Sequence, residues 1–244
     1  MNSVLILGAK SDIAKVSAEE YARIGYDLIL AGRNVQKDLQ DFKQVLKKNY
    51  NCNIVLTDFD ILDYNMHTSF FESLEKKPTG IVSFIGYLSQ EHDSKQDFKE
   101  IQKVINTNYI GQISIFNHFA DYYENIGEGF IVGLSSLAGD RGRQSNYTYG
   151  SSKAGFTAYL SGLRNKLSYK NIQVLTIKPG FVNTKMTKNI GMPSFLISSP
   201  DYVGKKIVKY QQKGKNIAYI PSYWRIIIFI IKIIPENIFK RMNL

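Results

Sequence analysis

Tyr149 and Lys153, in the run Tyr-Gly-Ser-Ser-Lys, stand four residues apart, which puts both on one face of a helix. A free tyrosine titrates at about pH 10, too high for easy proton transfer at neutrality. A lysine ammonium held beside it favours the phenolate and brings that value down. Such a pair can protonate the alkoxide formed when a hydride reaches a carbonyl. Three further features accompany it: Ser136, thirteen residues upstream of Tyr149, a glycine turn at Gly8, and Pro179-Gly180.

Strands and helices must position those residues. Short apolar runs predict strands at 3–7, 27–31, 54–57, 81–85, 129–134 and 173–177. Ile13, Val16, Ala18, Tyr21 and Ala22 have helical spacing, residues 35–49 and 95–125 read as helical, and the helix carrying Tyr149 runs to about Ser168. Alternating strands and helices predict a single α/β domain over 1–221. Its architecture is a Rossmann-type, doubly wound parallel sheet with helices on both faces and ligands at the strand C-termini. Residues 222–244 read as an apolar and basic C-terminal helix.

At 244 residues the chain suits one large core. A single cysteine, Cys52, excludes an internal disulfide. The three histidines lack ligand spacing, so no metal is expected. A first strand as early as Ser3 leaves no signal peptide, and a cytoplasmic chain is expected. The net charge of +10 is concentrated late: from residue 201 onward nine basic side chains face two acidic ones, a net of +7. The apolar run in the same stretch points to an anionic membrane surface rather than nucleic acid.

The turn Gly8-Ala9-Lys10-Ser11-Asp12-Ile13-Ala14 joins the first strand to the first helix. A glycine allows the tight turn, and the helix N-terminus offers N–H groups to a pyrophosphate. Asp12 could cap that helix or, aimed at phosphates, repel them. After the second strand, Gly32 stands where an acid would favour NAD, and Arg33 next to it suits the 2′-phosphate of NADPH, with Lys10 adding charge. A solvated surface arginine is the plainer reading of Arg33.

These motifs together resemble the short-chain dehydrogenase/reductase family over nearly the whole chain. The family's turn has three glycines; here only Gly8 remains, with Asp12 and Ala14 at the other two positions. The resemblance implies that Asp60 and Ile61 contact adenine, and that Gly86 occupies a cofactor-side turn. It also implies that Pro179-Gly180-Phe181-Val182-Asn183-Thr184 covers the nicotinamide, with Val182 and Thr184 holding its carboxamide. The same resemblance implies that Asn108 supports a proton-relay water, that Ser136 donates to the substrate carbonyl, that Tyr149 is the general acid, and that Lys153 also binds the ribose. Homodimers or homotetramers are usual in the family.

Ser-Asp-Ile-Ala at 11–14, Ser-Ser-Leu-Ala-Gly-Asp-Arg at 135–141, Lys-Pro-Gly-Phe-Val at 178–182 and the Trp-Arg…Ile-Pro…Ile-Phe-Lys tail are similar to one subgroup. These are the reductases of decaprenylphosphoryl-2-keto-ribose type. That likeness implies NADPH-dependent reduction of the 2-keto group of a polyprenyl-phosphate-linked pentose, a lipid-linked sugar, with a flavin-dependent oxidase supplying the ketone. Other lipid ketones, such as 3-oxoacyl groups, share the same machinery, and a cofactor-binding regulator without turnover is a reading of another class. Arg141 and Arg143, between Ser136 and Tyr149, are candidates for gripping a substrate anion, although a solvated basic loop has the same composition. The apolar part of residues 222–241 is too short to span a bilayer, which needs about 20 apolar residues. They suit either a peripheral membrane contact at the inner face or a subunit interface.

Overall fold

The computed structural model describes residues 2–89, 97–184 and 193–242. Seven parallel strands form one sheet in the order β3-β2-β1-β4-β5-β6-β9. They are β1 Ser3–Leu7, β2 Asp27–Gly32, β3 Ile54–Asp58, β4 Gly80–Ser83, β5 Phe130–Leu134, β6 Gln173–Pro179 and β9 Ile217–Ile220. A two-stranded ribbon, β7 Phe181–Val182 with β8 Ile197–Ser198, lies outside it.

Strand alternation divides the core in two. In β1, Val4 and Ile6 face one layer while Leu5 and Leu7 face the other. The first layer carries α1 (Asp12–Arg23) and α8 (Pro200–Gln212), through Ile13, Ala18, Tyr21, Val203 and Ile207. The second carries α4 (Asn65–Ser73), α6 (Gly111–Ile126) and α7 (Tyr147–Leu167), through Phe70, Phe116, Phe119, Phe156 and Leu160. Both faces of the sheet are therefore covered, as a parallel sheet requires. α1 and α8 approach closely at Gly204, where a Cβ would lie 2.7 Å from Val16.

Several local features differ from the sequence reading. The stretch 35–49 is broken into α2 (Val35–Asp38) and α3 (Gln40–Asn49) at Leu39. Of the stretch 95–125, residues 95 and 96 lie outside the described residues. The remainder is α5 (Phe98–Ile105) running into α6 through a π-helical turn at Asn106–Ile110; such turns are common at functional sites. The C-terminal segment is two helices rather than one. α9 (Trp224–Ile233) stops at Ile234, whose backbone is extended, and α10 (Glu236–Phe239) follows Pro235. Proline lacks an N–H and disfavours helical backbone in the residue before it. α9 packs on the main body through Trp224 and Ile228, against Leu137, Phe181, Leu196 and Tyr219.

Candidate active site

The strand order reverses between β1 and β4, and at such a point the loops after the two strands diverge and leave a crevice. A cleft of about 450 Å³ opens there. Gly8, Ser11, Asp12, Ile13, Arg33, Asp60, Ile61 and Gly86 line its β1–β4 side, and Ser136, Arg143, Tyr149, Lys153, Pro179, Gly180, Val182 and Thr184 line the other. Asn108 and Arg141 do not line it.

The turn after β1 depends on Gly8. Its φ of +73° is a left-handed conformation, and a Cβ there would lie 3.0 Å from Ile85. Ser11, not Asp12, is the N-cap of α1, and its side chain makes no capping bond. Asp12 is the first helical residue, so the expected cap is not formed. The first N–H groups of α1 are thus left without a side-chain partner at the cleft, which suits a pyrophosphate. Gly32 and Arg33 follow at the end of β2, with no carboxylate where a ribose acceptor would stand. Lys10 is committed to Asp38 at 2.7 Å, so less of its charge is available to a phosphate than expected. A dinucleotide therefore fits the residues present, from the α1 turn to Val182 and Thr184.

Ser136 lies just beyond β5, and Tyr149 and Lys153 lie on α7, which packs tightly on the turn after Ser136. A Cβ on Gly139 would meet the Lys153 carbonyl carbon at 2.7 Å. Ser136 Oγ accepts from the Ala138 N–H at 3.2 Å, which leaves its O–H to donate. Its hydrogen bond to Tyr149 lowers the tyrosine pKa, but burial outweighs it and pushes Tyr149 up to about 12. The expected lowering by Lys153 is not seen in the free chain. Lys153 Nζ donates to the Leu134 carbonyl at 3.0 Å and sits 5.8 Å from the Tyr149 ring centroid. Burial also lowers Lys153 to about 8. Tyr149 is therefore held fully protonated at neutral pH. The neighbouring Ser135 braces α7 instead, donating to the Lys153 carbonyl and meeting Thr157 Oγ1.

Asn108 is fully buried in the π turn. Its Oδ1 accepts from the Tyr87 N–H, and its Nδ2 donates to the Tyr87 carbonyl and to Ser152 Oγ on α7. This side chain ties the loop after β4 to α7, rather than reaching into the cleft.

The two arginines separate. Arg141 turns away from the cleft and donates to the carbonyls of Ile231, Lys232 and Ile234, the unpaired C-terminal end of α9. It also pairs with Glu236 and stacks 3.7 Å from the Phe239 ring centroid. That corrects its expected role in gripping substrate. Just before it, Asp140 is buried in an ion pair with Lys178 and accepts from Tyr219 Oη at 3.1 Å. Arg143 does line the cleft. Its Nε is buried with no hydrogen-bond partner among the described residues, and burial lowers its pKa. Asn146 Oδ1, beside it in the cleft wall, is likewise buried and unpaired.

Asn146 went unread because an asparagine before a helix ordinarily serves as a cap, yet here its side chain makes no capping bond. Trp224 also went unread as a site residue. Its indole lies against Gly180, leaving no room for a side chain there. Tyr87, Leu88 and Lys103, also in the wall, carry no signal in local spacing.

Residues 2–193 match the model of the short chain dehydrogenase family. An uncharacterized oxidoreductase of Mycobacterium tuberculosis is 31% identical over 242 residues, covering 98% of this chain and 96% of that protein. A short-chain dehydrogenase from Sphingobium yanoikuyae in complex with NADPH superposes with a TM-score of 0.83 at 20% identity, over 97% of both chains. The bulky-bulky ketone specific alcohol dehydrogenase from Comamonas testosteroni reaches 0.81 at 18% identity, over 97% of this chain and 96% of that one. At those identities the two structures speak for the fold, while the family match and the relative speak for descent. The chain thus belongs to the short-chain dehydrogenase family and is an NAD(P)-dependent oxidoreductase.

Proposed function

We propose that this chain uses NADPH to reduce a ketone on an anionic, lipid-linked substrate, namely the 2-keto group of a polyprenyl-phosphate-linked pentose. The observation that carries the reading is Arg143. A guanidinium with a buried, unpaired Nε is costly unless an anion completes it. It shares the cleft with Tyr149. The unpaired Asn146 Oδ1 suits a sugar hydroxyl as donor. Arg33 beside Gly32, and the NADPH bound by the Sphingobium yanoikuyae neighbour, favour NADPH over NADH.

The nicotinamide, when bound, supplies a hydride to the carbonyl carbon. The chain's residues do the rest. Ser136 Oγ–H donates to the carbonyl oxygen and stabilises the negative charge that develops there. Tyr149, protonated because burial holds its pKa at about 12, donates the proton that turns the alkoxide into an alcohol. The Lys153 ammonium stabilises the phenolate left behind. Asn108 holds α7 and the loop after β4 in register for this transfer through its bonds to Ser152 and Tyr87.

The test is NADPH oxidation with a short-chain polyprenyl-phosphoryl 2-keto-pentose beside a 3-oxoacyl thioester. Turnover of the sugar lipid is expected. Turnover of the thioester alone would place the enzyme among lipid ketone reductases and contradict the substrate reading.

A further inference from the structure

We infer that the outer face of α9 and α10 docks on an anionic lipid bilayer, beside the mouth of the cleft. This goes beyond the substrate reading and does not depend on it. α9 is apolar on two faces. Trp224 and Ile228 point inward, whereas Ile226, Phe229, Ile230 and Ile233 form an outward stripe at i, i+3, i+4 and i+7. All four are more than half exposed, as is Ile238 on α10. A run of isoleucine and phenylalanine facing water marks an interaction site rather than ordinary surface.

Charge identifies the occupant. Arg225 and Lys232, seven residues apart, follow one flank of the stripe, and Lys240 and Arg241 extend it past α10; all four are exposed. Glu236, the single acid in residues 222–242, is already paired with Arg141. A second copy of this face would bring cations against cations. An anionic headgroup layer matches them, with the stripe seated among acyl chains. No helix among the described residues is long and apolar enough to cross a membrane, so the contact is peripheral.

The surface is joined to the active site. Trp224 at the start of α9 lies on Gly180, and Phe181 packs beside it; both Gly180 and Phe181 line the cleft. Arg141 holds the other end of α9 to the loop that supplies Ser136 and Arg143. A bilayer bound to this face lies next to the cleft entrance, where a membrane-held substrate could enter without leaving its lipid.

The experiment is flotation of the full chain with vesicles of phosphatidylcholine alone or with 30% phosphatidylglycerol, at low and high salt. Light scattering runs in parallel. Binding at least about tenfold stronger to the anionic vesicles, weakened by salt, is expected. Phe229→Glu with Ile233→Glu should abolish it while leaving the melting temperature and oligomeric state unchanged, since both side chains are exposed. Failure of the wild type to float would overturn the inference. So would flotation undiminished by the double variant, or a double variant that falls apart into smaller oligomers, which would make the stripe a subunit contact.

Discussion

Arg143→Met should stabilise the free enzyme and weaken it against an anionic substrate. Methionine keeps most of the aliphatic volume of arginine and removes the guanidinium. In the free chain that guanidinium has a buried Nε without a partner and a pKa lowered by burial. A buried unsatisfied donor costs about 1–3 kcal/mol. Arg143 is only partly buried, so the low end, roughly 1 kcal/mol, applies. Its attraction to Asp140 offsets little, because Asp140 already has Lys178 and Tyr219. For a chain of this size about 1 kcal/mol corresponds to roughly 2–4 °C, so a melt without ligand should shift upward by that much. With an anionic substrate the same group makes a charge-assisted bond of about 1.5–3 kcal/mol, so kcat/KM should fall roughly 10–150-fold. With an uncharged ketone of the same shape it should change by less than about threefold, because no such bond is lost. A variant that melts several degrees lower and treats both substrates alike would make Arg143 a structural residue with no part in anion binding.

Asp140→Asn leaves Lys178 charged and buried, so urea unfolding should show a loss of about 3–5 kcal/mol. A loss under about 1 kcal/mol would show the pair to be solvated. Lys153 is depressed to about 8, so its ammonium is present below that pH and lost above it. The kcat/KM for NADPH, which reports the free enzyme, should therefore decline above about pH 8, and a profile flat to pH 10 would contradict this. The same shift makes the folded chain bind fewer protons than the unfolded one between about 8 and the ordinary lysine value. Stability from this group is therefore greatest above that window and is lost as pH falls through about 8. Gly32→Asp puts its new Cβ 3.3 Å from Val35 Cγ1, a tight contact that the Val35 side chain must relieve by a few tenths of an ångström. It places an acid where the ribose would lie, and should turn the preference from NADPH towards NADH by at least about tenfold; dissociation constants for both cofactors check it.

The meeting of Ser136, Tyr149 and Lys153 in one cleft was legible because their relation is local. The four-residue spacing of Tyr149 and Lys153 fixes a shared helical face, and Ser136 lies just beyond the strand before that helix. The first six strands could be read because buried parallel strands are short, continuous apolar runs. β9 was not, since Ile217–Ile220 is brief and partly polar around it, and it joins the sheet only by pairing with β6. Arg141 and Arg143 could not be told apart by spacing, because no periodicity orders the loop that carries them. Arg141 is turned away by carbonyls about ninety residues along the chain, at the end of a helix that Pro235 stops. The protonation of Tyr149 was misread for a related reason. Proximity to Lys153 is written in the sequence, whereas burial depends on everything packed around the pair.

The most direct test compares wild type with Tyr149→Phe, measuring NADPH affinity by fluorescence titration and turnover of the lipid-linked keto-pentose in the same preparations. General acid catalysis is worth about 10²–10⁴-fold. Equal NADPH binding is expected in both proteins, with turnover reduced in the variant by at least about 100-fold. Turnover that survives the loss of the Tyr149 hydroxyl would contradict it.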